Sequence, residues 1–188
     1  VGEKLGYIRV YNAGMVSARL IRPTSRLRKS HESFIAEFRR SGEELVPWVL
    51  DRVGKSFNDY VAWLESASRG RNLPEGYVAN STFWLIDAQD EIVAISNIRC
   101  DLSAELMKLG GHIGFGVRSS ARRKGYGTEV LRLSLLEARS LGIGDMRVTC
   151  DKENLGSSRV IVRNGGQLDD EEYMAERDCI VQRYWIRL

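Results

Sequence analysis

Between His112 and Thr128 the chain reads His-Ile-Gly-Phe-Gly-Val-Arg-Ser-Ser-Ala-Arg-Arg-Lys-Gly-Tyr-Gly-Thr, and no other stretch narrows the fold as much. An apolar, alternating run predicts a strand that stops at Ser119–Ser120. Three cations and two glycines follow, and an amphipathic helix begins at once. A strand that turns into a helix across such a segment leaves backbone N–H groups unpaired and aimed at one spot, where the helix dipole also favours negative charge. Gly125 and Gly127 have no side chain to hold a phosphate away from those groups. The segment therefore predicts a cradle for a phosphorylated ligand, with an ordinary tight turn as the structural alternative.

The flanking sequence supplies a scaffold for it. Ala18–Ile21 reads as a short strand stopped by Pro23, and Ser25 to about Glu44 as a helix with Leu27, His31, Phe34, Ile35 and Phe38 on one side. Ser56-Phe-Asn-Asp59 resembles a capping box that starts a second helix, ending before Gly70. Ser81–Asp87 and Glu91–Arg99 form a predicted hairpin. A connecting loop, Leu102–Gly111, leads into the strand Ile113–Val117. The helix Gly127–Leu141 presents Val130, Leu131, Ser134, Leu135, Ala138 and Leu141 on one face. A strand at Met146–Cys150, a short helix opened by Asn154 and Ser157, and strands at Gln167–Ala175 and Cys179–Arg187 complete the chain. With 188 residues and no repeat or linker, one α/β domain over residues 15–188 is expected. Residues 1–14 are read as an added extension or as lying ahead of an alternative start at Met15.

Composition removes several functional classes. The net charge of +3 is too small to argue for nucleic acid. Cys100, Cys150 and Cys179 are scattered and odd in number, so neither a metal site nor a disulfide framework is expected. No apolar run reaches the roughly 18 residues that span a bilayer, and no secretory leader is visible. A cytoplasmic protein with reduced thiols and no membrane partner is the expectation.

Arg122-Arg123-Lys124-Gly125-Tyr126-Gly127 resembles the Gln/Arg-x-x-Gly-x-Gly/Ala motif of GNAT-type N-acetyltransferases, with a strand before it and a helix after. Asn154-Leu-Gly-Ser157-Ser-Arg159 resembles that family's Asn-x-x-Ser-x-Arg segment, and Asn164-Gly165-Gly166 stands where its short helix closes. The order of elements from about Ala18 to Leu188 is similar too, and the tail Arg183-Tyr-Trp-Ile-Arg-Leu looks like that of a little-characterised bacterial branch. The resemblance implies a GNAT fold, α+β, with a mixed and mostly antiparallel sheet of six or seven strands, a splayed central pair and about four helices. It implies acetyl-CoA as donor, a small-molecule or peptide amine as acceptor, and direct attack within a ternary complex.

By the same resemblance, the backbone of Arg123, Lys124, Gly125, Tyr126, Gly127 and Thr128 would hold the pyrophosphate, with Arg122 adding to the local positive charge. Phe115 and Val117 would pair their main chain with the pantetheine arm, Asn154 would hydrogen-bond it, and Ser157 would sit near the thioester. Gly116 suits a bulge that opens the gap. The family often places a Tyr on the short helix as the acid that protonates the leaving thiolate; here that position is Ile161. Ser157 is then the nearest candidate acid, its alternative role being a helix N-terminal residue. His112 is the candidate base, with a pKa suited to proton shuttling, and also reads as a structural histidine. The loss of the Tyr keeps a non-catalytic acyl-CoA-binding module as the alternative function. A nucleotide-phosphate protein is the weaker rival, since Gly114-x-Gly116 lacks its third glycine. The acceptor groove is expected from residues 25–70 and the Leu102–Gly111 loop, and an exposed final strand would let two copies pair.

Overall fold

Short strands in the first half of the chain build an antiparallel meander. Strand β1 (Ala18–Ile21) pairs with β2 (Asn80–Asp87), β2 with β3 (Ile92–Arg99), and β3 with β4 (Ile113–Val117), in the spatial order β1-β2-β3-β4. This is a computed structural model that describes residues 17–52 and 56–188; the extension expected over residues 1–14 lies outside them. Two helices, α1 (Arg28–Ser41) and α2 (Phe57–Ser68), lie between β1 and β2 in the chain, and α3 (Tyr126–Ser140) follows β4. The remainder is β5 (Met146–Asp151), α4 (Leu155–Arg163), β6 (Gln167–Met174) and β7 (Cys179–Ile186), the strands forming a second sheet ordered β5-β7-β6. Seven strands and four α-helices give the α+β architecture of the expected fold.

Both faces of the first sheet are covered, which is why its central strands are buried along almost their whole length. On one face Phe34, Phe38, Tyr60 and Leu64 of α1 and α2 pack on Trp84, Ile92 and Ile95. On the other, Val130, Leu131, Leu133 and Ala138 of α3 pack on Leu85, Ala94, Ile98 and Ile113, continuous with Val148, Ile161 and Ile186 of the second half. Each fully buried aliphatic side chain contributes about 1.5–3 kcal/mol, so these two clusters supply most of what holds the layers together.

Several local expectations are refined. The first helix opens with a 3-10 turn at Ser25–Leu27 and stops at Ser41, because Gly42 takes a left-handed cap at φ 68°. The loop after β3 contains a turn of π-helix, Leu106–Gly110. No bulge interrupts β4: its ladder with β3 runs without slip from Ala94↔Val117 to Ile98↔Ile113. Gly116 is needed for another reason, since a Cβ there would strike the carbonyl oxygen of Val46, which crosses that face of the strand. The final strand is not at an edge either. β7 lies between β5 and β6, and the edge belongs to β6, exposed over Gln167–Tyr173 and carrying Asp169, Asp170, Glu171 and Glu172. Those charges discourage strand pairing, so the sheet pairing expected between copies has no free apolar edge there.

One buried ion pair ties α1 to the turn after β4. The Glu37 carboxylate accepts from Arg118 Nε at 2.8 Å and Nη2 at 2.5 Å, from the Ser120 N–H at 3.0 Å, and from the Ser119 and Ser120 hydroxyls. Burial alone would raise its pKa, but the Arg118 bonds, followed by those from Ser120 and Ser119, hold it down at about 2. Such a carboxyl, near 4.3 in an unfolded chain, stabilises the fold fully above about pH 4.5 and ceases to as pH falls through about 4 to 2. Glu37→Gln should therefore lower stability at pH 7 by about 2–3 kcal/mol, leaving Arg118 only the more exposed Glu91 carboxylate, 3.6 Å from Nη1. In urea unfolding the deficit should shrink between pH 5 and pH 3; a deficit independent of pH would exclude the carboxylate as its source.

Candidate active site

The two sheets touch where β4 and β5 begin. The His112 N–H donates to the Arg147 carbonyl at 2.7 Å, and the Arg147 N–H donates to His112 Nδ1 at 2.9 Å. Beyond that contact no ladder joins β4 to β5 among the described residues. Which main-chain groups face the opening follows from the antiparallel register, because alternate residues direct their N–H and C=O to alternate sides. Arg118 N–H bonds Val93 and Arg99 N–H bonds His112, so the even-numbered residues of this stretch face β3. Ile113, Phe115 and Val117 consequently turn their N–H and C=O toward the opening. The Val117 carbonyl already accepts from Arg122 Nε at 3.1 Å, which leaves its N–H and both groups of Phe115.

At the far end of β4 the chain turns through Arg123 at φ 62° and Gly125 at φ 91° before entering α3. Left-handed residues so close together aim successive N–H groups the same way. α3 has no side-chain N-cap, and its first internal bond is Glu129 N–H to Gly125 C=O at 3.1 Å. The backbone N–H groups from Arg123 to Thr128 thus have no acceptor among the described residues. They form a candidate anion cradle, in the turn that follows the open edge of Phe115 and Val117.

The side chains of the motif divide into two groups. Arg123 and Lys124 are exposed and unpaired with any carboxylate among the described residues. Arg122 is engaged elsewhere: Nη1 and Nη2 reach Glu43 at 3.0 and 2.6 Å, and its hydrogen bond is the main cause that lowers the Glu43 pKa. It braces the end of α1 against the turn and contributes little free charge. Tyr126 packs on the core, and the Thr128 carbonyl accepts from Asn164 Nδ2 at 3.2 Å. The two glycines also differ. A Cβ at Gly127 would meet Val160 Cγ2 at 3.2 Å and Val117 Cγ2 at 3.6 Å, so Gly127 lets α3, α4 and β4 approach, whereas Gly125 supplies the left-handed turn.

On the other side of the opening, the exposed Asn154 caps α4 through Oδ1, which accepts the Ser157 N–H at 3.0 Å; its Nδ2 is left over. Ser157 is half-buried in the first turn, and its hydroxyl makes no hydrogen bond among the described residues. Ile161 is fully buried, pointing into the core. His112 is buried, and burial is the first cause that lowers its pKa, with Arg99 adding to the effect. Because Nδ1 accepts a backbone N–H, the neutral ring carries its proton on Nε2, so in this geometry His112 offers a donor and a strand clasp in place of a free base. Burial pushes the Cys150 thiol up to about 11, which leaves it protonated and inert at neutral pH.

A run of carbonyls at the mouth gave no sequence signal. Met107 C=O accepts from Arg147 Nε at 2.9 Å, Lys108 C=O from Arg183 Nε at 2.7 Å, Leu109 C=O from Thr149 Oγ1 at 3.0 Å, and Gly110 and Gly111 C=O both from Arg99 Nη1 at 3.0 Å. The loop that borders the opening is thereby fixed by side chains from β3, β5 and β7.

The sequence over residues 21–167 matches the family model described as an acetyltransferase (GNAT) domain. The chain belongs to the GNAT acetyltransferase family. No curated protein matches it. Among solved structures, the GNAT chain is similar to an acetyltransferase from Salmonella typhimurium that modifies the N-terminal serine of ribosomal protein L7/L12, at 14% identity and TM-score 0.65 over 96% of this chain and 98% of the other. It is also similar to the microcin C7 self-immunity acetyltransferase solved with acetyl-CoA and AMP (13%, 0.63, 95% and 98%). A dodecameric spermidine N-acetyltransferase from Vibrio cholerae is a third likeness (12%, 0.60, 91% and 94%). At these identities the likeness is one of fold. Acetyl-CoA is the cosubstrate of this family, and the residues here fit it: uncapped N–H groups for a diphosphate and an unpaired strand edge for an amide-bearing arm. No helix among the described residues is long and apolar enough to cross a membrane, and none of their His, Cys, Asp and Glu side chains cluster as a metal site.

The two glycines give a test that separates cradle from packing. Gly125→Asp should weaken CoA binding at least 100-fold by placing a carboxylate at the cradle, while the thermal midpoint falls only by the few degrees that a strained left-handed residue costs. Gly127→Asp should chiefly destabilise the fold. Calorimetric CoA titration alongside thermal melts checks both, and undiminished affinity in folded Gly125→Asp would defeat the assignment.

Proposed function

We propose that this protein transfers an acetyl group from acetyl-CoA to a primary amine by direct attack while both are bound. The observation that carries the reading is the conjunction of the acceptor-free N–H groups at Arg123–Thr128 with the open main-chain edge of Phe115 and Val117. Coenzyme A has a diphosphate at one end and an amide-bearing arm leading to its thioester, and these two features match them in order. Asn154 Nδ2 remains as a donor to a carbonyl of the same arm. Proteins of this fold with amine acceptors include the enzyme acting on an N-terminal serine and the one acting on spermidine.

In the step itself, the nitrogen lone pair attacks the thioester carbonyl, the new C–N bond forms, and the C–S bond breaks. The amine's proton leaves to water, and the thiolate takes a proton. With Ile161 in the core and His112 held as a donor, the half-buried Ser157 hydroxyl is the side chain assigned to the thiolate, directly or through an ordered water. A CoA thiolate leaves readily, so the demand on this acid is modest. The alternative reading, a non-catalytic acyl-CoA-binding module, is favoured by one observation, the complete burial of Ile161.

Release of free thiol from acetyl-CoA, measured across a broad panel of amines, separates the two. Acetyl transfer predicts turnover on at least one amine class, and Ser157→Ala should then lower kcat about tenfold or more without changing CoA affinity. Tight CoA binding with no turnover on any amine would establish the binding module instead.

A further inference from the structure

Among the described residues the three buried arginines have carboxylate partners, and the partly buried Arg99 does not. Arg118 pairs with Glu37, Arg147 with Asp169 and Asp170, and Arg183 with Asp170 and Glu172. Arg99, at the end of β3, has no carboxylate within ion-pair distance among the described residues. Its Nη1 serves two loop carbonyls, while Nε and Nη2 donate to nothing among those residues. Burial lowers its pKa to about 10, and Tyr77 is the group that offsets this; it remains charged at neutral pH. Holding a guanidinium partly out of water without a counter-charge is unfavourable, and a bound anion would offset that.

Its place bears on what that anion is. A Cβ at Gly114 would lie 3.7 Å from Arg99 Nη2 and 3.4 Å from Pro47 Cβ, so the free end of the guanidinium lies against the β4 main chain, beneath the connection between α1 and α2. Gly114 directly precedes Phe115, whose main chain borders the opening. Tyr77, half exposed, packs on Trp48 with ring centroids 4.4 Å apart and planes tilted by 47°, and flanks the same space.

We propose that Arg99 receives an anionic group of the acceptor, so that the acceptor is an amine that also carries a carboxylate or a phosphate. This rests on the acetyl-transfer reading for the identity of the ligand as an acceptor. The bidentate fork of Nε and Nη2 suits either anion. Anchored there, the acceptor's other end extends along β4 toward Phe115, which sets a short spacing between anion and amine.

Matched probes test it on the CoA-loaded protein: β-alanine against β-alaninamide, and phosphoethanolamine against ethanolamine. Binding is followed by ligand-observed NMR and acetylation by thiol release. At least one anionic probe should bind tenfold or more tightly than its neutral counterpart, and the pair that shows it identifies carboxylate or phosphate. Arg99→Gln should reduce that preference to about unity and leave CoA affinity within twofold. Should that variant melt early, Arg99→Lys, which keeps a charge but not the fork, should retain part of the preference. Equal binding of charged and neutral probes by the wild-type protein would overturn the proposal, as would a preference that survives Arg99→Gln. An Arg99-dependent preference with no acetylation of these probes or of any amine in the broad panel would refute acetyl transfer and leave the anion site standing.

Discussion

His112 and Arg147 exchange two hydrogen bonds, one through each backbone N–H, and that clasp decides where the two sheets stay together and where they part. A side-chain nitrogen stands in for the carbonyl that a continued ladder would have used, so the pairing is complete in itself and does not propagate. Gly111 makes it possible: at φ 59° it lets the Arg147 carbonyl come so close that a Cβ would sit 2.5 Å from it. Past the clasp, β4 presents its odd-numbered N–H and C=O groups to open space. Unpaired strand edges are ordinarily a liability. Here the edge lies between two sheets, beside α3 and α4.

The rim of that opening is held by long-range ion pairs and carbonyl contacts. Glu37 and Glu43, both in or just past α1, take Arg118 and Arg122 on either side of the turn after β4. On the opposite border, Arg99, Arg147, Arg183 and Thr149 hold successive carbonyls of residues 107–111. The turn can therefore keep its N–H groups unsatisfied without collapsing, because the backbone on both sides is tied down by other groups.

Most of the scaffold was legible from local pattern. β1 and β4 begin and end where alternation and Pro or Ser breakers place them, and Ser56 caps α2 as its spacing suggests, accepting the Asp59 N–H. The turn with its acceptor-free N–H groups was legible because its parts are contiguous, from Arg123 to Thr128. What escaped depended on partners distant in the chain. Nothing near Glu37 signals an arginine 81 residues away, and Arg122 reads as a free cation until Glu43 is seen beside it. Gly116 suggested a bulge, and Gly127 a phosphate approach, because a sequence shows that a side chain is missing without showing what occupies its place. The order β5-β7-β6 inverted the expectation for the last strand, since strand order within a sheet is a tertiary choice that alternation does not encode.

The central claim is that CoA is received by the main chain of β4 and of the turn into α3. Amide hydrogen exchange resolved to single residues, with and without saturating CoA, tests it most directly. The account predicts slowed exchange at Phe115, Val117 and the amides from Arg123 to Thr128, with those of the first sheet's centre unchanged. Saturable CoA binding that leaves these amides exchanging as before would contradict it.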